Sequence, residues 1–210
     1  MKKALRRGAR LIVCDPRQTW VARRADLHIK HRPGTDNFLV NAMMSHIIAK
    51  GLHNEAFIKE RCENFDAFRA NLAEYTVDKA ADVCGVDADL ICKAAEWYAA
   101  GTPSSIFYTL GITEHTCGTE NVQNLANMAM LCGQIGKESS GINPLRGQNN
   151  VQGACDMGAM NTNFPGYQKV ADPAAREKFA AAWGAPIQAN AGGKITDFIE
   201  RAGEGKLKAL

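Results

Sequence analysis

The stretch Leu11-Ile12-Val13-Cys14-Asp15-Pro16-Arg17-Gln18-Thr19 opens apolar and turns polar at Asp15. Leu11 to Cys14 has no charged or amide side chain, which suits a strand buried on both faces as in a parallel sheet. Pro16 lacks the N–H that a ladder needs and ends the strand. Beyond it, Leu27, Ile29 and His31 alternate with His28, Lys30 and Arg32, predicting a second strand that stops at the turn Pro33-Gly34. Asp36 then stands at the N-cap position of a helix. Its apolar residues Leu39, Val40, Met43, Met44, Ile47 and Ile48 recur at helical spacing until Gly51.

Working outward, a short helix is predicted over 18–25 and further helices over 54–61, 65–73 and 88–99, the last capped by Asp87 or Asp89. Ser105 to Leu110 reads as a strand and Glu120 to Leu131 as a helix. Strands alternating with helices over the first 135 residues predict a doubly wound α/β fold, a mostly parallel sheet with flanking helices. Residues 133–170, rich in Gly, Asn, Gln, Ser and Pro, read as a long functional loop. A helix over 174–183, a glycine-rich joint at 191–193 and a helix over 196–201 follow as the start of a second α/β domain. The expected division is 1–147, a dinucleotide-binding-like domain, and 148–210.

Of the 210 residues, 46% are apolar and 22% charged, as in a globular chain with a real core. The net charge of +3 is too small to indicate a nucleic-acid surface, although Lys2, Lys3, Arg6, Arg7 and Arg10 gather at the start. That cluster reads either as a solvated helix end or as a cationic mouth for phosphates. The seven cysteines contain no C-x-x-C pair, so no standard zinc or iron–sulfur ligand set is present, and reduced thiols in a cytoplasmic protein are expected. No run of 18 apolar residues occurs, and no membrane contact is expected of this segment. The first ten residues read as a helix tail feeding a strand and Gly205 to Leu210 as the entry to another strand, so both ends are expected to be cut.

Ligands of doubly wound sheets sit beyond the carboxyl ends of the strands. Three polar loops lie there, at 14–19, 33–36 and 110–115. Asp15, Arg17, Gln18 and Thr19 suit a ribose and a diphosphate, or else form a capped turn beside an exposed arginine. Asp36 offers two acceptors that match the paired donors N1–H and N2–H2 of guanine, or else simply caps its helix. G-x-G-x-x-G and the P-loop pattern are both missing, which disfavours a plain nicotinamide or nucleotide-hydrolysing domain.

The most informative stretch is Asn143-Pro144-Leu145-Arg146-Gly147-Gln148-Asn149-Asn150-Val151-Gln152-Gly153-Ala154-Cys155-Asp156-Met157-Gly158. It builds a core poorly but is dense in planar hydrogen-bonding groups, and Arg146 is a natural bidentate clamp for a small carboxylate. L-R-G-Q-N-N-V-Q-G-A-C-D-M-G, followed by F-P-G-Y-Q-K-V, closely resembles the formate dehydrogenase branch of the molybdopterin oxidoreductase (DMSO reductase) family. I-V-C-D-P-R, A-D-L-H-I-x-x-R-P-G-T-D and L-G-I-T-E-H-T resemble the same family in the same order, from about Gly8 to Trp183.

The resemblance implies a molybdenum or tungsten bis(molybdopterin guanine dinucleotide) centre in the catalytic large subunit of a formate dehydrogenase. It implies dinucleotide contacts at Asp15, Pro16, Arg17, Gln18 and Thr19, at Gly34, Thr35 and Asp36, and at Leu110, Gly111 and Glu114. Arg146, with Gly147 and Gln148 beside it, matches the residues that orient formate at the metal, while His115 reads as a structural hydrogen-bonder. The family's iron–sulfur segment and its cysteine or selenocysteine metal ligand with a neighbouring histidine are missing, since no cysteine here precedes a histidine. A four-iron four-sulfur cluster is therefore expected only in an N-terminal part outside this sequence, no metal ligand is assigned within it, and this piece alone is expected to be inactive. The implied partners are formate, the remainder of the subunit, and electron-transfer subunits of iron–sulfur, flavin or hydrogenase type. Rival readings are an oxyanion reductase of the same family and a non-catalytic domain of a related respiratory complex.

Overall fold

The structure is a computed structural model that describes residues 2–207. It divides into two compact units, Met1–Leu145 and Arg146–Leu210.

In the first unit, α1 (Lys2–Leu5) leads to β1 (Ile12–Cys14), which pairs in parallel with β2 (Leu27–Ile29) through the register Ile12 with Leu27 and Cys14 with Ile29. Helices α2 (Asp36–Ala49), α3 (Glu55–Arg61), α4 (Phe65–Leu72), α5 (Val77–Cys84) and α6 (Ala88–Ala100) follow. Next come β3 (Ser105–Tyr108), a single turn α7 (Leu110–Thr113), the long α8 (Gly118–Leu131), and β4 (Gly141–Pro144), which pairs in parallel with β3. The α/β class with parallel pairing is the one the sequence predicts. The described strands form two separate pairs, β1–β2 and β3–β4.

The core centres on α2, whose Leu39, Ala42, Met43, Met44 and Ile47 are all buried. These positions span more than one helical stripe because α5, α6 and α8 pack around the helix from different sides. Side-chain caps fix the entry of two helices: Asn54 accepts the Phe57 N–H at 2.9 Å, and Thr76 accepts the Lys79 N–H at 3.3 Å. Among the loops, buried Gln134 donates to the Gly101 carbonyl at 2.7 Å and accepts the Ser104 N–H at 3.1 Å, holding the entry to β3.

Several local expectations change. Residues 18–25 contain only a 3-10 turn at Ala22–Arg24, because Arg24 and Trp20 stack outward and no apolar stripe holds a longer helix down. The second strand stops at Ile29, leaving His31 beyond its end. Thr35 is the N-cap of α2 without a side-chain cap bond, and Asp36 is the first helical residue. Helix α5 escapes the periodicity reading because its buried positions are only Ala80 and Cys84. Strand β4 lies inside the region read as loop, since Gly141, Asn143 and Pro144 carry no strand signal.

The second unit holds α9 (Val151–Asp156), a 3-10 turn at Pro165–Tyr167, α10 (Pro173–Trp183) and α11 (Ile195–Gly203). Its small core is Phe164, Ala175 and Phe179, with the two phenyl rings 4.6 Å apart. Asp172 caps α10 by accepting the Ala174 N–H at 3.0 Å, and Pro173 fills the first turn, where its missing N–H costs nothing.

Candidate functional site

The first polar loop leaves β1 at Asp15. Its backbone N–H donates to the Ile29 carbonyl at 3.1 Å and its own carbonyl meets His28 Nε2 at 2.9 Å, which ties the loop to β2. The Asp15 carboxylate accepts the Arg17 N–H at 2.7 Å and lies 3.8 Å from the Arg17 Nε, so it shapes the turn. Pro16 and Thr19 are half-buried, and Arg17 and Gln18 face solvent. Thr19 Oγ1 accepts the Ala22 N–H at 3.2 Å.

In the second loop, Gly34 has a φ of +83°, a conformation that suits glycine, and an added Cβ would meet no atom within 4 Å. Thr35 donates its hydroxyl proton to the Arg32 carbonyl at 2.7 Å. Asp36 is buried at 7% exposure, and its Oδ1 accepts from His31 Nε2 at 3.0 Å. His115 approaches Oδ2 at 3.6 Å, but its Nε2 donates at 2.9 Å to the Gly111 carbonyl. Burial alone would raise the Asp36 carboxyl, yet the hydrogen bond and charge of His31, the backbone N–H of Asp36 and the nearby His115 together hold it below the usual carboxylate range. The same anion, added to burial, pushes the Cys84 thiol up.

The third loop carries Leu110, Gly111 and Glu114 exposed on and beside the turn of α7. Helix α8 holds both the second and third loops. Asn121, buried at 2% exposure, donates to the Ile112 carbonyl at 3.0 Å, and Asn124, one turn further along, donates to Asn37 Oδ1 at 3.1 Å. Gly118 makes room for this arrangement, because a Cβ there would collide with the Thr113 carbonyl. The third loop therefore meets the second where His115 approaches Asp36, α8 ties the third loop to the start of α2, and the first loop is bonded to the end of β2.

Arg146, Gly147 and Gln148 open the second unit and are all exposed. Downstream in that unit, Tyr167 sits at a φ of +61° and donates its hydroxyl proton to Asp156 Oδ1 at 2.8 Å. That bond raises the phenol, and the Arg146 charge pulls the other way. Two hollows among the described residues lie elsewhere. One, about 340 Å³, is lined by Ile58, Phe65, Phe68 and Leu131, and the other by His53, Thr102 and Lys137. Both open between helix ends and touch none of the three polar loops, so we place no chemistry there.

Sequence reading missed His31 as a partner of Asp36 and missed the clamp formed by Asn121 and Asn124. The first had a signal, since His31 is in phase with the inward Leu27 and Ile29. The second had none, because an amide at a helical position reads equally well as exposed.

A buried carboxylate and polar side chains gathered at strand ends are the arrangement in which open α/β units place their ligands. The molybdopterin oxidoreductase family model matches residues 1–196, and the chain belongs to that family. It is 45% identical over 207 residues to formate dehydrogenase H of Escherichia coli strain K12, a match covering 98% of this chain and 29% of that one. It is 45% identical over 202 residues to the F420-dependent formate dehydrogenase 1 subunit alpha of Methanococcus maripaludis, covering 96% and 30%. Among solved structures, acetylene hydratase from Pelobacter acetylenicus superposes with a TM-score of 0.64 at 33% identity, covering 66% of this chain and 19% of that one. The chain thus spans about 30% of the length of these two formate dehydrogenase relatives. Membership implies a molybdenum or tungsten pterin cofactor.

Proposed function

We propose that this chain is part of the catalytic subunit of a formate dehydrogenase, oxidising formate to carbon dioxide at a molybdenum or tungsten centre carried by two pterin guanine dinucleotides. The observation that carries this reading is the 45% identity to formate dehydrogenase H across nearly the whole chain. The site residues fit the nucleotide end of such a cofactor. The Asp36 carboxylate has room for about four hydrogen bonds, and His31 takes one, so acceptor capacity remains for the two donors of guanine. Gly34 leaves open space beside it, and Arg17 and Gln18 are free to reach a diphosphate and ribose with Asp15 and Thr19. Pro16, Thr35, Leu110, Gly111 and Glu114 line the same loops. Among the described residues no three His, Cys, Asp or Glu side chains are placed to hold a metal ion together, and in this reading the pterin sulfurs hold the metal.

When bound, the metal–pterin group supplies the two-electron acceptor for the reaction HCOO⁻ → CO₂ + H⁺ + 2e⁻. The chain contributes Arg146, whose planar guanidinium grips the formate carboxylate through two parallel N–H bonds and so aims the C–H bond. Gly147, without a side chain within reach of the open space around it, lets the substrate approach, and Gln148 adds a neutral donor. The electrons leave through a four-iron four-sulfur cluster outside this chain toward iron–sulfur, flavin or hydrogenase-type partners in the cytoplasm.

The test is to purify the full-length subunit that contains these residues. Metal analysis, GMP released by hydrolysis of the diphosphate and formate-dependent dye reduction are then measured on one preparation. Two guanine nucleotides per metal with formate turnover are expected. A metal-loaded subunit that reduces no dye with formate, or one that yields no GMP, would refute the respective half of the reading.

A further inference from the structure

We infer that His31 is a positioning residue for guanine recognition, fixing the plane of the Asp36 carboxylate. The inference rests on reading Asp36 as the guanine-binding group. A carboxylate meets two parallel donors only when its plane is held, and a lone aspartate turns readily about its terminal torsion, whose well is broad. Asp36 begins α2, so its backbone is fixed.

Among the described residues, His31 is the one side chain hydrogen-bonded to the carboxylate, through Nε2 to Oδ1 at 3.0 Å. The ionised carboxylate only accepts, so Nε2 carries the proton. His115 cannot take over this task. Its Nε2 proton is directed to the Gly111 carbonyl at 2.9 Å, and its 3.6 Å separation from Oδ2 is beyond hydrogen-bond length.

His31 is 4% exposed and stands beyond the end of β2, in phase with Leu27 and Ile29, so the sheet's inner face dictates its direction. Its Nδ1 is buried and has no partner among the described residues. Such a nitrogen is costly to keep, and a leucine would fill the volume without that cost. The buried imidazole directs its one proton to the Asp36 carboxylate, which a leucine could not do. With one lone pair of Oδ1 taken by His31, Oδ2 and the second lone pair of Oδ1 are left for the ligand.

The experiment uses the full-length subunit loaded with its cofactor. Cofactor loss on incubation is followed as GMP equivalents in the filtrate after hydrolysis, for wild type, H31L, H31Q, D36N and H31L/D36N. Because a hydrogen bond to a charged group is at stake, H31L is expected to lose cofactor about tenfold faster. H31Q, whose side-chain amide can donate from the place of Nε2, is expected to stay within about threefold of wild type. H31L/D36N is expected to be no faster than D36N, since the two residues act as one unit. Loss from H31L at the wild-type rate while D36N is fast would overturn the role of His31 alone, and so would a full H31L effect on top of D36N. Loss from D36N at the wild-type rate would instead overturn the guanine reading of Asp36. Should H31L not fold, H31Q decides: a wild-type rate supports the role, and a rate equal to that of D36N contradicts it.

Discussion

In the proposed function the chemistry turns on two charged groups, Asp36 and Arg146, and their surroundings are opposite. Asp36 is buried, bonded by His31 and faced by His115, and its neighbour Asn37 is bonded by Asn124 of α8. Arg146 begins the second unit on an exposed stretch, with Gly147 and Gln148 exposed beside it and no ion pair among the described residues. The contrast teaches that the folded first unit alone sets the charge and direction of the carboxylate proposed to bind the nucleotide. The arginine proposed to clamp the substrate, by comparison, is left exposed to take its orientation from what it grips.

The largest expected effect breaks the contrast at its exposed end. In the full-length enzyme, Arg146→Lys should lower kcat for formate by about a hundredfold or more while leaving GMP content unchanged, because a point charge cannot replace a planar fork. Steady-state kinetics with nucleotide analysis check this, and an unchanged kcat would remove Arg146 from the reaction. Next comes Ile47→Ala, fully buried in the last turn of α2. It should cost about 2–5 kcal/mol of stability, read from denaturant midpoints, and a loss under about 0.5 kcal/mol, the range of surface substitutions, would mean that α2 is not the core helix.

A smaller effect concerns acid. The Asp36 carboxyl is lowered in the folded state, so its contribution to stability is fully present above the unfolded carboxyl value near pH 4 and is lost as pH falls through the lower folded value. Asp36→Asn should therefore flatten the decline of stability below about pH 4, and an unaltered acid profile would deny the ionised, bonded state. The smallest effect should follow Tyr167→Phe. The bond to Asp156 is exposed, so Tm should barely move, whereas a large drop would show that the strained turn at Tyr167 depends on it.

How much was legible in the sequence varies with the kind of signal. Strand β1 and helix α2 were readable because a short apolar run ended by proline and a long helical stripe ended by glycine are strong, local patterns. Helix α5 and strand β4 were not, since α5 is held by tertiary contacts of two small buried residues and β4 is written in glycine, asparagine and proline. Within the site, Asp36 was named from its place after a turn, but its depth was hidden. Burial of a carboxylate is set by His31, His115 and α8 together, and only folding brings those residues to it.

The most direct measurement is an experimental structure of the full-length subunit with its cofactor bound. The expected result has the Watson–Crick edge of one guanine within hydrogen-bond distance of both Asp36 oxygens, and the Arg146 guanidinium facing the open side of the metal. A guanine edge held by other residues, with Asp36 still bonded only to His31, would contradict it.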